Sequence, residues 1–160
     1  MRTDKLTIAW QEYSVNELNQ SDKLLVESAK ETTRNSYSPY SDFKVGAAVL
    51  LGDGTIVNGC NQENAAYPSG ICAERVAIFA AGAIKPEQPI TAIAIAAHHK
   101  GHFTDIPITP CGACRQVMVE TELRYGKPIR IILSGESKIM VFESGINQLL
   151  PFCFGADSIK

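Results

Sequence analysis

The stretch Cys72-Ala73-Glu74 decides the fold together with a second one, Pro110-Cys111-Gly112-Ala113-Cys114. The two cysteines of the second stretch are three residues apart, so both sulfurs point to one side at the first turn of a helix, where free backbone N–H groups stabilise thiolate charge. The cysteine of the first stretch is expected at the start of another helix. We therefore predict that two helix N-termini form the centre of the structure.

These stretches offer three thiolates to a zinc ion. Cys72, Cys111 and Cys114 would fill three corners of a tetrahedron, and a catalytic zinc keeps its fourth corner for water, whereas a structural zinc closes all four corners with protein ligands. Glu74 lies too close in sequence to Cys72 to be an obvious fourth ligand, and it is well placed to handle protons. We therefore predict a catalytic site that holds one zinc ion per chain.

A structural zinc site is the alternative interpretation of the same cysteines. It requires a fourth protein ligand, and the stretch His98-His99-Lys100-Gly101-His102 offers three histidines for that position. Histidines in exposed polar loops are more often bystanders than ligands, and a closed site leaves Glu74 without a role. The catalytic interpretation is therefore favoured.

Length and composition favour one globular domain, residues 1–160, in which residues 1–20 form an N-terminal arm or an edge strand. A net charge of -2 without clustered Lys and Arg argues against nucleic acid as a partner and favours a small-molecule substrate. No apolar run approaches the roughly 20 residues that cross a bilayer, so we expect no membrane partner and a cytoplasmic location. Five cysteines, an odd number, fit metal ligands and free thiols better than disulfides.

Helices and strands alternate along the rest of the chain. This alternation indicates an α/β protein, a three-layer α/β/α domain with a mixed sheet of about five strands. The helix at 73–83 is apolar almost all round, which predicts that both of its faces are buried. The other predicted elements are a helix capped by Ser21 that runs to about Asn35, a hairpin of residues 45–51 and 55–60, strands at 90–97, 129–134 and 138–142, a polar loop at 98–102, a helix at 111–123 and a short last helix capped by Ser144.

Four motifs follow one another between residues 35 and 155. They are Tyr37 to Ala48, Gly59 to Arg75, Pro110 to Gln116, and Leu149-Leu150-Pro151 with Phe154-Gly155. In this order they resemble the cytidine deaminases of the small, homotetrameric, zinc-dependent type. The resemblance implies a cytidine deaminase-like fold and a hydrolase that acts on a cyclic amidine C–N bond. Its reaction would convert cytidine and deoxycytidine to uridine and deoxyuridine with release of ammonia, in pyrimidine salvage.

The resemblance also implies roles for individual residues. Glu74 would be the catalytic residue. Independently of the resemblance, three thiolates bring excess negative charge to the metal, and we expect Arg75 to donate to a ligand sulfur and withdraw charge from it, with a surface ion pair as the alternative role of this arginine. The pocket would be shared between subunits of a homotetramer, with Phe154 coming from a neighbouring subunit. Asn61 and Glu63 would bind the ribose hydroxyls, and the backbone of Ala73 would bind the base edge. Phe43 would pack on the pyrimidine, and Tyr67 and Phe154 would close the pocket.

Other interpretations stay open from the residues themselves. A deaminase of another nucleoside-like substrate and a non-catalytic zinc-binding protein are the two rival functions, and ordinary core packing is the rival role of the three aromatic residues. A nucleic-acid deaminase is disfavoured, because the carboxylate of Glu63 would repel a 3′-phosphate. Lys44 stands where the family often has proline, and the N-terminal arm and residues 98–105 lie outside the shared pattern.

Overall fold

One mixed β-sheet organises the chain in the computed structural model, which describes residues 1–159. Within that range the strands are β1 (Gln11–Tyr13), β2 (Lys44–Leu51), β3 (Ile56–Cys60), β4 (Ile90–His99), β5 (His102–Phe103), β6 (Arg130–Ser134) and β7 (Ile139–Phe142). They lie in the order β1-β7-β6-β4-β2-β3, and β5 pairs with β4. The pair β4–β6 is parallel and the other pairs are antiparallel. The prediction of a mixed sheet is confirmed.

The described part of the chain forms seven strands where the sequence predicted about five. The difference lies in β1 and β5, which are three and two residues long. β1 lies within residues 1–20, which the sequence analysis expected to form an arm or an edge strand without giving a strand its bounds. Both strands are too short for an alternating apolar pattern to locate them.

Three helices cover the two faces of the sheet in residues 1–159: α1 (Gln20–Thr32) on one face, and α2 (Ala73–Ile84) and α3 (Gly112–Tyr125) on the other. The central strand β4 is buried on both faces, which explains its continuous apolar run. On the α1 side, Leu25 and Ala29 pack in one cluster with Ala94 and Ile132. The three-layer α/β/α prediction is confirmed.

The cap of α1 is a correction to the sequence prediction. Asn19, not Ser21, is the N-cap, and its side chain accepts a hydrogen bond from the backbone N–H of Asp22. Both residue types are good caps, so the sequence did not distinguish them. The α-helix ends at Thr32, and a 3-10 turn continues to Asn35.

The last predicted helix is also shorter than expected. A 3-10 turn, Ile146–Gln148, stands there, and Gly145 rather than Ser144 precedes it. Gly145 adopts a φ of 87°, a left-handed value that a residue with a side chain rarely takes.

The burial predicted for both faces of α2 is wrong for the single chain. Ala77 and Ala81 are buried against the sheet, whereas Phe79 and Ile84 are 53% and 65% exposed. The reason is geometric, because α2 lies in an outer layer and one stripe of an outer helix reaches the sheet.

A close backbone contact places the start of α2 on the sheet. A Cβ atom on Gly59 of β3 would lie 2.4 Å from the backbone nitrogen of Ala77 and 2.6 Å from the carbonyl oxygen of Ala73. Glycine at this position therefore lets the first turn of α2, which carries one of the cysteine stretches, lie directly on β3.

The predicted polar loop at 98–102 is a β-hairpin in the structure. Strand β4 continues through His99, Lys100 and Gly101 form the turn, and His102 pairs with His99 as the chain returns. Both turn residues have positive φ, 51° and 89°, as a two-residue hairpin turn requires. The sequence analysis assigned the histidines to a loop because they are polar, although a lysine-glycine pair supplies a suitable turn.

Strand β1 forms one edge of the sheet. Strand β1 pairs with β7, and Trp10 packs on Phe142 with ring centroids 6.5 Å apart. A single domain over residues 1–160 stays a prediction, and its last residue, Lys160, lies outside the described residues. Across residues 1–159, no helix has the length and apolar character needed to span a membrane.

Candidate functional site

Three cysteine sulfurs meet where two helices begin. Cys72 is the N-cap of α2 and Cys111 the N-cap of α3, while Cys114 lies in the first turn of α3. The Cys111 sulfur lies 3.7 Å from that of Cys72 and 3.5 Å from that of Cys114, and all three fall within 4.8 Å of one another. Tetrahedral thiolates about 2.3 Å from a zinc ion stand roughly 3.8 Å apart. The cluster therefore fits zinc, as the sequence predicted.

The surroundings of the cluster favour the thiolate form of Cys72. The thiol of Cys114 donates to Cys72, and the guanidinium of Arg75 lies beside the same sulfur, so the pKa of Cys72 is lowered to about 5. The pKa of Cys114 is raised in turn, because this thiol is the donor of that hydrogen bond and is desolvated. Backbone N–H groups at the two helix starts add positive potential. A thiolate at Cys72 favours zinc binding, because zinc binds cysteine in the deprotonated form.

Arg75 lies beside the sulfur cluster. Its Nη2 atom donates to the sulfur of Cys72 at 3.7 Å. A donor on a ligand sulfur withdraws charge from that sulfur and orients it, as outer ligand contacts do in metal sites.

Glu74 is a buried carboxyl group beside the sulfurs. It is 4% exposed and follows Cys72 by two residues in the first turn of α2. Burial raises the pKa of Glu74 above its ordinary value, because desolvation disfavours the charged form. A carboxyl group with a raised pKa in a cleft is suited to both taking and giving a proton near neutral pH.

A cavity of about 750 Å³ opens beside the cysteine cluster. Its lining includes Cys72, Glu74 and Cys111, which we call the floor, and Phe43, which belongs to the part that we call the wall. Of the predicted substrate contacts, Asn61, Glu63 and Tyr67 also line it. The structure therefore brings four of the six predicted substrate contacts into one space with the sulfur cluster.

Glu63 is tied to the loop in front of the cavity. Its carboxylate accepts hydrogen bonds from the backbone N–H groups of Tyr40 and Ser41, at 2.9 and 3.3 Å, and from the Ser41 hydroxyl. These donors, the Ser41 hydroxyl most of all, hold the pKa of Glu63 below its ordinary value of 4.5. The carboxylate therefore stays ionised and fixes the loop.

Asn61, which the sequence analysis expected to bind a ribose hydroxyl, also holds the backbone on both sides of Lys44, and we call this arrangement the clamp. The sequence analysis did not predict this second role. Its Oδ1 accepts from the backbone N–H of Val45 at 2.7 Å and from the Ser36 hydroxyl, and its Nδ2 donates to the carbonyl of Phe43 at 2.8 Å. The backbone on both sides of Lys44 is thus held by one amide. An asparagine directly after a strand was the available signal, but the partners lie 16 and 18 residues away.

Tyr67 lies at the rim of the cavity, and the other two predicted contacts, Ala73 and Phe154, do not line it. Ala73 is fully buried at the first position of α2, and Tyr67 is 78% exposed at the rim, 6.3 Å from the ring of Tyr40. Phe154 is 61% exposed and does not line this cavity, and its carbonyl accepts from Gln116 Nε2 at 2.7 Å.

The histidines take no part in the sulfur cluster. Among residues 1–159, the side chains close enough to share a metal ion with one another are those of Cys72, Cys111 and Cys114. His98 packs on Phe103 and His99 packs on Phe43. A fourth ligand from this stretch, which the structural zinc alternative needs, is therefore not placed at the cluster.

Known proteins share this sequence and architecture. A family model described as the cytidine and deoxycytidylate deaminase zinc-binding region matches residues 19–125, which include both cysteine stretches. A cytidine deaminase from Sporosarcina psychrophila is 40% identical over 140 residues, 87% of this chain and 94% of the relative. One from Halalkalibacterium halodurans is 38% identical over 138 residues, 86% of this chain and 97% of the relative. The crystal structure of a cytidine deaminase from Burkholderia pseudomallei is 42% identical, with a TM-score of 0.66 over 82% of this chain and 97% of that one.

Proposed function

Because the chain belongs to the cytidine and deoxycytidylate deaminase family, we propose that it hydrolyses cytidine and deoxycytidine to uridine and deoxyuridine with release of ammonia. The observation that carries the proposal is the buried carboxyl group of Glu74 beside three clustered sulfurs, at the floor of a cavity of about 750 Å³. That arrangement combines a proton carrier, a metal site and space for a nucleoside.

Cys72, Cys111 and Cys114 would hold one zinc ion per chain. When bound, the ion supplies a Lewis acid that lowers the pKa of water at the open fourth position. Three thiolates alone would make it a weak Lewis acid, since they bring more negative charge than neutral ligands do. Arg75 and the two helix N-termini would offset that charge, because they direct positive potential at the sulfurs.

Glu74 would move the protons of the reaction. Its carboxylate takes one proton from the attacking water and delivers it to ring N3, while the water oxygen forms a bond to C4. Glu74 then takes the remaining proton from the oxygen on C4 and gives it to the exocyclic amine, so that the C4 carbonyl forms as the C4–N bond breaks and ammonia leaves. A raised pKa suits the first step, because burial makes the carboxylate a stronger base toward the water proton.

Substrate recognition would come from the wall and the rim of the cavity. Phe43 would pack on the pyrimidine, the Ala73 backbone would bind the base edge, and Asn61 and Glu63 would bind the ribose hydroxyls. The ionised state of Glu63 supports this role, since a carboxylate accepts a strong hydrogen bond from a hydroxyl and repels a 3′-phosphate. This favours free nucleosides over polynucleotides.

We also propose a homotetramer in which active sites are shared. Phe79, Ile84 and Phe152 expose large apolar surfaces, at 53%, 65% and 88%, as expected of a chain with subunit contacts. Tyr67 and Phe154 would then close the pocket, Phe154 from a neighbouring subunit. Light scattering on the purified protein tests the assembly, and a monomeric active enzyme would contradict it.

Pyrimidine salvage in the cytoplasm is the role that we propose for the reaction. Free nucleosides are its substrates, and three reduced thiols are its metal ligands. A reducing compartment keeps such thiols available.

The test uses the purified zinc-loaded protein with four substrates: cytidine, deoxycytidine, free cytosine and a cytosine-containing oligonucleotide. Ammonia release from the two nucleosides is expected, and Glu74→Gln is expected to abolish it while zinc content stays unchanged. Turnover of the oligonucleotide alone would make the protein a nucleic-acid deaminase and would contradict the role of Glu63. Zinc binding without turnover of any of the four would contradict the proposed substrates.

A further inference from the structure

The hairpin of β4 and β5 lies outside the motifs that the proposed function uses, yet one of its side chains reaches the wall of the cavity. The ring of His99 packs on the ring of Phe43, with centroids 5.7 Å apart and an angle of 46° between the planes. The same imidazole places Nδ1 3.1 Å from the carbonyl oxygen of Asp42. His99 therefore contacts two consecutive residues of the loop that carries the cavity wall.

We propose that His99 is a positioning residue for the substrate, which holds the Asp42–Phe43 segment so that the Phe43 ring faces the pyrimidine. The proposal rests on the proposed function, because it gives Phe43 the role of packing on the base. His99 touches neither the reacting atoms nor the sulfur cluster. Its effect on the reaction is exerted through Phe43.

The hydrogen bond from His99 has a defined direction. A carbonyl oxygen accepts, so Nδ1 carries the proton and donates to Asp42. Asp42 has a φ of 51°, the left-handed region that residues with a side chain rarely adopt. A donor on the carbonyl of this residue stabilises a local conformation that the chain does not favour by itself.

The other hydrogen bonds of the segment hold its backbone, and the Phe43 side chain also packs against the apolar core on the α2 and α3 side of the sheet. Ser41 Oγ accepts from the Phe43 N–H at 3.0 Å, and Asn61 Nδ2 donates to the Phe43 carbonyl. The side chain of Asp42 pairs with Lys44 at 3.6 Å. His99 adds an aromatic contact on the same ring from a separate element, the hairpin of β4 and β5.

Strand geometry makes His98 the matched control. Successive side chains on β4 point to opposite faces of the sheet, so His98 turns away from Phe43. It packs edge-on against Phe103 in the same hairpin, with centroids 5.4 Å apart. Loss of either imidazole removes one aromatic contact, but only His99 contacts the cavity wall.

The experiment compares the steady-state kinetics of the zinc-loaded wild type, His99→Ala and His98→Ala with cytidine. In His99→Ala we expect KM to rise about three- to tenfold, from the loss of one hydrogen bond and one aromatic pair, with kcat within about twofold of the wild type. His98→Ala should leave both constants within about twofold. His99→Phe keeps the ring and His99→Gln keeps a donor, so each should restore part of the loss.

A second measurement follows the loop without using activity. Hydrogen exchange of a peptide that covers residues 37–43 should be faster in His99→Ala than in the wild type, and unchanged in His98→Ala. An active wild type with equal KM values in the two alanine variants would overturn the role of His99 and leave the proposed function intact. A fall in kcat without a change in KM would overturn it as well. A zinc-loaded wild type without any deaminase activity would overturn both proposals.

Discussion

The floor and the wall of the cavity are built by different means. The floor consists of two short stretches at the starts of α2 and α3: Cys72 with Glu74, and Cys111 with the buried Cys114. Each stretch is local in sequence, and the two meet at the sulfurs of Cys72 and Cys111, 39 positions apart. The wall is the loop of residues 36–45, and distant side chains hold it: Glu63, Asn61 and His99. Helix geometry therefore fixes the floor, whereas individual hydrogen bonds fix the wall. We expect floor variants to affect chemistry and wall variants to affect substrate binding.

The floor is tested most directly at Glu74. Glu74→Gln keeps the shape of the side chain but cannot take up a proton, so kcat should fall by about 10³-fold or more while zinc content is unchanged. Deaminase kinetics and metal analysis of the same preparation measure both quantities. Glu120→Gln on the exposed side of α3 is the control and should match the wild type. Retention of more than a tenth of kcat in Glu74→Gln would remove Glu74 from the catalytic role.

Arg75 tests whether the floor needs charge compensation. Arg75→Ala removes the donor to the Cys72 sulfur, and we expect zinc affinity or kcat to fall about 10- to 100-fold, as for other contacts that orient metal ligands. Competition with a chelator measures the affinity, and the kinetics measure kcat over a range of pH. Arg75→Lys keeps the positive charge and should lose less. Unchanged turnover together with an unchanged pH profile in Arg75→Ala would show that the arginine does not act on the metal site.

Asn61 tests the wall. Asn61→Ala leaves the Val45 N–H and the Phe43 carbonyl without their partner, and we expect a loss of about 1–3 kcal/mol in the free energy of unfolding together with a KM about tenfold higher. Urea unfolding and cytidine kinetics measure the two effects. Asn58→Ala is the matched control, because Asn58 lies on β3, three residues before Asn61, and accepts a hydrogen bond from Ser28 on the outer surface. Equal KM values in the two variants would mean that the clamp does not serve the site.

The smallest effect concerns the pH dependence of the wall. The pKa of Glu63 is lowered by its hydrogen bonds with Ser41 and Tyr40. The hold of this carboxylate on the loop is therefore complete above the ordinary pKa of 4.5 and is lost as the pH falls through the lowered pKa. Hydrogen exchange of residues 37–43, corrected for intrinsic rates, should accelerate only below pH 4.5. Glu63→Gln should show no such transition. An acceleration that begins well above pH 4.5 would show that the Glu63 carboxylate does not hold the loop.

The sequence by itself determined the local geometry of each half of the floor and most of the fold, whereas the meeting of the two halves across 39 positions is a tertiary contact. Cys111 and Cys114 had to share one side of a helix turn because their spacing fixes their direction, and Glu74 had to lie near Cys72 because two residues separate them. Apolar runs of strand length, such as the one in β4, identified the central sheet and its burial on both faces. These features follow from local geometry, which the order of the residues contains directly.

Only the tertiary structure decided the wall and the outer surfaces. His99 contacts Asp42 across 57 positions of sequence, and Ser41 meets Glu63 across 22, so neither contact has a local pattern. The exposure of Phe79 on α2 depends on which stripe of the helix the sheet covers, and composition alone suggested burial all round. Such contacts depend on how separate elements pack. A single sequence specifies them through the whole fold and not through any one segment.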